Sequence, residues 1–346
     1  MTIEAALAPP TTNSGSTFPP LRRRMQESGL LERRYGYYAG MIGVNLLCIG
    51  AIAAAMVVIG PSWWQLLLAL PAAIFTGRTA FVGHDSGHQQ IARSHRVNKL
   101  IGLIHGNMLM GMSYGWWNNK HNRHHANPNH GEKDPDVQSG ALVWSKEQAG
   151  ERLGGGAMNW LARHQAYLFF PMLLLEGFNL KVSSIRAMRD RSPSERIVEG
   201  TLLAVHLAGY VTFLLLVMSP LQALVFALVH NMLFGLHLGM AFAPNHKGMP
   251  APQPGQRWDH LHRQVLTSRN VRGGVLTDWF LGGLNYQIEH HLFPSMPRAN
   301  LGKAVPIVRD YCKEIGVPYV DASIVGSYRE ALRHLHEVGE PLRLDL

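Results

Sequence analysis

The chain has 346 residues, 47% of them hydrophobic, yet its mean hydropathy is −0.02, so strongly apolar blocks must alternate with strongly polar ones. Thirty-two Lys and Arg against 23 Asp and Glu give a net charge of +9. That balance suits an anionic membrane surface or an acidic protein partner; nucleic-acid binding is excluded, because the apolar blocks are membrane spans and no recognition motif appears. Cys48 and Cys312 sit in unrelated settings and offer neither a disulfide framework nor a thiolate metal site.

In chain order, residues 1–34 read as a disordered and basic segment. It is rich in Pro, Ser and Thr up to Pro20 and has no secretory pattern. Arg22, Arg23, Arg24, Arg33 and Arg34 then lie in a stretch suited to a short helix on the membrane surface. A span needs about 20 mostly apolar residues, and residues 37–60, 63–82, 197–218 and 221–243 qualify. Gly60, Pro61 and Ser62 separate the first pair and Ser219 and Pro220 the second, which predicts two helical hairpins. Neither tip carries Lys or Arg, Arg78 is the one such residue inside a span, and the remaining segments carry the others. The positive-inside rule then puts both termini and the loop 83–196 in the cytoplasm. Segments 100–117 and 164–180 are moderately apolar but broken by Gly, Asn, Glu and His. They read as interfacial or buried amphipathic helices, since counting either one as a span makes the total odd. The expected fold is an all-α integral membrane protein: four transmembrane helices in two hairpins under a helical cytosolic cap. Residues 35–305 form that membrane and cap domain, and residues 306–346 a cytosolic tail.

The 19 histidines are unevenly placed. His84 and His88 lie at the cytoplasmic end of the second span, His121, His124 and His125 in the middle loop, and Gln287, His290 and His291 after the last span. Residues three and four apart share a helical face, so each group converges. Ordinary surface or core histidines explain one such pair, but not three clusters on one side of a membrane. Imidazoles without competing thiolates suit first-row transition metals. Seven exceed what one catalytic zinc needs, which points to two ions. His246 sits where the fourth span exits, and position alone leaves it either a ligand or a loop residue. His206, His230 and His237, within spans, fit helix-to-helix hydrogen bonds better than a site.

These clusters, in this order and between two hairpins, resemble the membrane-bound fatty-acid desaturase superfamily over residues 35–305. WWNNKHNRHHANPN (116–129), followed by Asp134, Pro135 and Asp136, is similar to the second histidine box of acyl-lipid and front-end desaturases. NVRGG (270–274), DWFLGGLNY (278–286) and QIEHHLFP (287–294) are similar to the third-box region, whose Gln variant occurs in front-end and some bacterial members. The resemblance implies two non-haem iron ions, O2 as oxidant, a fatty-acyl substrate (on CoA, a carrier protein or a glycerolipid) and His246 as an eighth histidine ligand. Gln287 departs from the all-histidine pattern, as a weak amide ligand or as a hydrogen-bond partner of a bound water. No fused cytochrome b5 motif (His-Pro-Gly-Gly) occurs, and the 36 residues before the first span are too few to fold one. An external electron donor such as ferredoxin, or cytochrome b5 with its reductase, is therefore expected. The short chain without a fused carrier suggests a bacterial cell-membrane enzyme.

Among acidic residues near the boxes, Asp85, Asp134, Asp136, Asp278 and Glu289 are candidates to orient the imidazoles. A simple turn at 134–136 and plain helix solvation at Asp85 are the competing readings. Tyr114, Trp116, Trp117 and Trp279 are candidate walls of a substrate tunnel, though aromatics near an interface also serve as anchors. A lipid or alkane hydroxylase is the nearest alternative activity. A histidine-rich metal transporter is a remote one, because the spans carry no repeated polar motif.

Overall fold

A computed structural model describes residues 16–152, 156–252, 256 and 258–344. Helix α1 (Phe18–Glu27) precedes a first apolar pair, α2 (Tyr35–Ile59) and α3 (Leu66–Gly87). Next come α4 (His95–Gly102), a π-helical stretch Leu103–Met110, α5 (Tyr114–Ala126), and the short α6 (Lys146–Gly150) and α7 (Ala157–Arg163). Three long apolar helices follow: α8 (Gln165–Arg186), α9 (Pro193–Val217) and α10 (Pro220–Phe242). The remainder holds α11 (His260–Leu266), β1 (Asn270–Arg272), α12 (Val275–Phe280), α13 (Gln287–Leu292), α14 (Arg298–Glu314), β2 (Asp321–Ser323), α15 (Ile324–Val338) and α16 (Pro341–Leu344). β1 and β2 pair in parallel, Asn270 opposite Asp321, and tie the tail into the cap.

The hairpin turns follow from local chemistry. α2 ends on Gly60 at φ +64, a conformation that glycine adopts without a Cβ clash. The buried Gln65 amide then donates to the carbonyls of Met56 at 2.7 Å and Gly60 at 2.8 Å, satisfying groups a membrane would leave bare. α10 opens with Ser219 and Gln222 in a capping box and Pro220 in its first turn.

Leu47, Val58 and Leu216 are 74%, 86% and 79% exposed, and such side chains on long helices are covered by lipid rather than water. Small residues set the helix spacing. A Cβ on Gly177 of α8 would meet the Asn231 carbonyl and the Gly235 amide of α10, so the two backbones touch directly. Gly77 of α3 likewise admits the His237 ring of α10.

Among the described residues, five helices, not four, are long and apolar enough to cross a membrane, the addition being Gln165–Asp190 around α8. The interruptions in its sequence do not break the helix. Glu176 and Lys181 are tolerated within it, Lys181 meeting Asn231 at 2.8 Å. Segment 100–117, by contrast, divides into α4, the π-helical stretch and the start of α5.

Of the N-terminal expectations, the short helix in the basic stretch is present but is packed on α14, and residues 18–27 are not disordered. Residues 1–15 lie outside the described residues, but 18–27 are helical, with Leu21 and Met25 buried beside Leu301, Ala304 and Val308 of α14. Arg24 pairs with Glu314 at 2.7 Å and the Tyr311 hydroxyl donates to the Thr17 carbonyl at 2.7 Å. Burial of the two apolar side chains, with these bonds, offsets the ordering cost that composition alone suggested would win. α14 also runs through the expected 305/306 boundary, so cap and tail are one packed body there.

Candidate metal centre

Four chain segments meet under the cap. The end of α3 brings His84 and His88, α5 brings His121, His124 and His125, the residue after the α10 exit brings His246, and α13 brings His290 and His291. All eight are buried, each at most 9% exposed. They sort into two groups whose nitrogens lie within 4.8 Å of one another: His84, His88, His121 and His290, and His124, His246 and His291. His125 lies between them, its ring stacked at 4.1 Å on His291 and its Nε2 3.1 Å from that of His121.

The nitrogens are arranged as those of cation ligands would be. Nδ1 of His124 is 2.9 Å from Asp134, Nδ1 of His246 is 2.9 Å from the Thr267 carbonyl, and Nδ1 of His291 is 2.9 Å from Gln264 Oε1. His84 Nδ1 is 3.0 Å from Asp85. Each acceptor keeps the proton on Nδ1 and turns the Nε2 lone pair inward. His246 Nε2 then faces Nε2 of His124 at 3.3 Å and of His291 at 3.1 Å. Nε2 of His84, His88 and His290 is buried with no hydrogen-bond partner. Converging lone pairs and orphaned buried nitrogens are costly for a bare protein and fit bound metal. Burial, reinforced by neighbouring imidazoles, pushes His88, His121, His125, His290 and His291 well below the ordinary histidine range. Burial, with His124 beside it, brings His246 to about 3. These six imidazoles are therefore neutral, the form that coordination would require.

The acidic candidates divide. Asp85 and Asp134 each hold an imidazole, and Asp134 also accepts the backbone N–H of Asn129 and Asp136, so it builds the turn as well. Asp136 lies 3.5 Å from His124 Nδ1 but pairs mainly with Lys120, which holds it far below the usual carboxylate range. Asp278 and Glu289 touch no imidazole. Asp278 accepts from Asn285 and the Tyr286 hydroxyl, and Glu289 from Asn270 and the Tyr319 hydroxyl. Burial raises Glu289 to about 7.

Several supporting residues carry no sequence signal. Gln264 accepts from His291 and donates to the His125 carbonyl at 2.9 Å, bridging two boxes. Arg298 pairs with Asp85 at 2.8 Å behind His84. Glu199 of α9 accepts from Ser113 Oγ at 2.5 Å, from the Gly115 amide at 3.1 Å and from Arg191 at 3.1 Å, fixing the start of α5. None has box spacing, and each reaches its partner only through the tertiary fold. His206, His230 and His237 meet the Met108 carbonyl, Tyr210 with Thr76, and the Phe280 carbonyl respectively.

A cavity of about 440 Å³ opens onto both groups, touching His84, His121, His124, His246 and Gln287. Met110, Met112, Leu180, Leu238 and Phe242 give it an apolar wall, and Lys120, Asp136 and Lys247 a polar one. Of the aromatic candidates, Tyr114 and Trp117 line it. Trp116 and Trp279 do not: Trp116 packs against the cluster that includes Phe81, Met110, Phe234 and Leu238, and Trp279 stacks under Arg78 at 4.5 Å.

Fold and site together define a helical protein with long apolar helices and a buried, histidine-rich cluster that suits metal binding, facing a largely apolar cavity. Residues 61–323 match the fatty acid desaturase family, to which the chain belongs. It is similar to the acyl-lipid (9-3)-desaturase of Physcomitrium patens, 30% identical over 96% of this chain and 64% of that one. It is also similar to the Delta(6)-fatty-acid desaturase of Caenorhabditis elegans, 28% identical over 94% of this chain and 76% of that one. The acyl-lipid (9-3)-desaturase of Borago officinalis is 31% identical over 86% and 70% respectively.

Proposed function

We propose that this chain is an O2-dependent acyl desaturase that introduces a cis double bond into a fatty-acyl chain. The observation that carries the reading is the pair of buried imidazole groups facing one cavity with an apolar wall. His84, His88, His121 and His290 would hold one iron, His124, His246 and His291 the other, with His125 between. Iron with O2 supplies the oxidising power to remove two hydrogens from adjacent methylenes. Those hydrogens, with two electrons and two protons from a redox partner, reduce O2 to two waters.

The protein's own part is positional. Asp85, Asp134, Gln264 and the Thr267 carbonyl hold the imidazoles in one tautomer. Met110, Met112 and Leu180 exclude water and hold an extended chain beside the ligands. Membership of the family and the similarity to acyl-lipid and Delta(6)-fatty-acid desaturases support a fatty-acyl substrate.

The topology we propose has four crossings with the centre on the cytoplasmic side. α1 precedes the first apolar helix and α14 follows the last, yet they pack together, which supports an even number of crossings. α8 is the candidate that does not cross. It has the lowest hydropathy of the five at 1.3, and both of its ends bind cap elements. Gln165 donates to the Leu335 carbonyl of α15, and Ser184 accepts from the Ser113 amide at the start of α5. The excess of Lys and Arg outside the hairpin tips supports the cytoplasmic assignment and gives an electron donor a basic face to meet.

The test is expression in a host lacking the activity, followed by mass-spectrometric location of new double bonds. New cis double bonds, lost in His125→Ala, are expected. Hydroxylated chains without new double bonds would overturn the assignment in favour of a hydroxylase.

A further inference from the structure

Gln287 stands where the third cluster would otherwise have its first imidazole, and the hydrogen bonds around it decide what it offers. It begins α13, is 3% exposed, and brings its amide nitrogen 2.7 Å from His246 Nε2. Its amide oxygen accepts from Asn245 Nδ2 at 3.2 Å. Asn245, fully buried, has one permissible orientation. Its Nδ2 also donates to the Ala241 carbonyl at 3.2 Å and the Leu284 carbonyl at 3.0 Å, and exchanging oxygen for nitrogen would set three oxygens together. Asn245 therefore pins the Gln287 oxygen away from the imidazoles and turns the NH2 group toward them and the cavity.

A carboxamide nitrogen does not coordinate a metal ion, so this geometry removes Gln287 from the ligand set. It leaves a donor at the group with fewer imidazoles, His124, His246 and His291. Once the His246 lone pair is engaged by a metal, the Gln287 N–H needs another acceptor, and the cavity it lines is the place for one. We infer that Gln287 is a hydrogen-bond donor to a small anionic or oxygen ligand entering at the three-histidine group, held in that role by Asn245. The inference rests on the reading above that the histidines hold two irons.

Iron content and azide binding, followed by absorbance titration of purified iron-loaded protein, test it. Two irons per wild-type chain are required by the underlying reading, and fewer would refute that reading rather than this one. Gln287→Leu is expected to keep the wild-type iron content and to bind azide about tenfold more weakly, the loss of one hydrogen bond to a charged ligand. If the leucine variant does not fold, Gln287→Met, unbranched and without a donor, is read in the same way. Iron falling by about one per chain would make Gln287 a ligand and overturn the inference. So would azide affinity equal to wild type, or no azide response from fully loaded wild-type protein.

Discussion

Replacing Arg298 by methionine isolates the support behind His84. The guanidinium lies 2.8 Å from Asp85 Oδ2 and donates to the Phe81 carbonyl at 2.7 Å, with side chains only 7% and 2% exposed. Asp85 in turn faces the Tyr38 hydroxyl at 3.1 Å and His84 Nδ1 at 3.0 Å. Methionine fills similar space but leaves the carboxylate buried without its counter-charge, which costs about 3–5 kcal/mol. With an unfolding entropy of about 2.1 cal/mol/K per residue, a chain of this length loses about 4–7 °C of thermal midpoint. The assay is thermal unfolding in detergent, scored by loss of the monodisperse chromatographic peak. Asp85→Asn in the same chain should recover part of the loss, with a coupling of about 2 kcal/mol. Asp85→Asn alone should also weaken metal binding about ten- to a hundredfold through His84. A drop below about 1 °C in Arg298→Met, or strict additivity in the double variant, would refute this account of the pair.

Other perturbations follow from the same geometry. Glu199→Leu strips the acceptor from Ser113, Gly115 and Arg191, and should lower thermal stability by about 3–5 kcal/mol and reduce iron content, measured on the purified protein. Gly177→Ala puts a methyl group against the backbone of Asn231 and Gly235, where neither side can yield. It should cost about 1–3 kcal/mol in the same unfolding assay, whereas Gly43→Ala, with open space around it, should be silent. In metal-free protein, His88, His121, His125, His290 and His291 stay neutral when folded but accept protons near pH 6.5 when unfolded. The folded values are depressed, so stability holds above about pH 6.5 and falls as pH drops below it. A midpoint that rises on acidification from pH 7 to 5 would contradict that sign.

What the sequence disclosed was whatever depends on local spacing. The i, i+3 and i, i+4 intervals of His121, His124 and His125 needed only helical geometry to share a face, and the two hairpins needed only length, hydropathy and breakers. Partners separated by long stretches of chain were not legible. Nothing near Arg298 marks it as the counter-ion of Asp85, and nothing near Gln264 links it to His291, because such pairs are set by how the cap folds back on itself. The carboxylates nearest the third box misled for the same reason. Glu289 is next to His290 in sequence, yet on the helix it points to Asn270 and Tyr319. The short helix of the basic N-terminal stretch was legible but its packing was not, since Leu21 and Met25 borrow their core from α14.

The dispersal of the donors along the chain has a consequence for how the protein is made. The four-imidazole group draws His84 and His88 from the end of the first hairpin and His290 from beyond the second. While the ribosome is still translating the tail, the early histidines have no late partner, so neither group can be complete on a nascent chain. On the two-iron reading proposed above, each metal would gain its full set of imidazoles only once α13 has emerged. A chain stopped before residue 290 would leave each of the two groups one imidazole short.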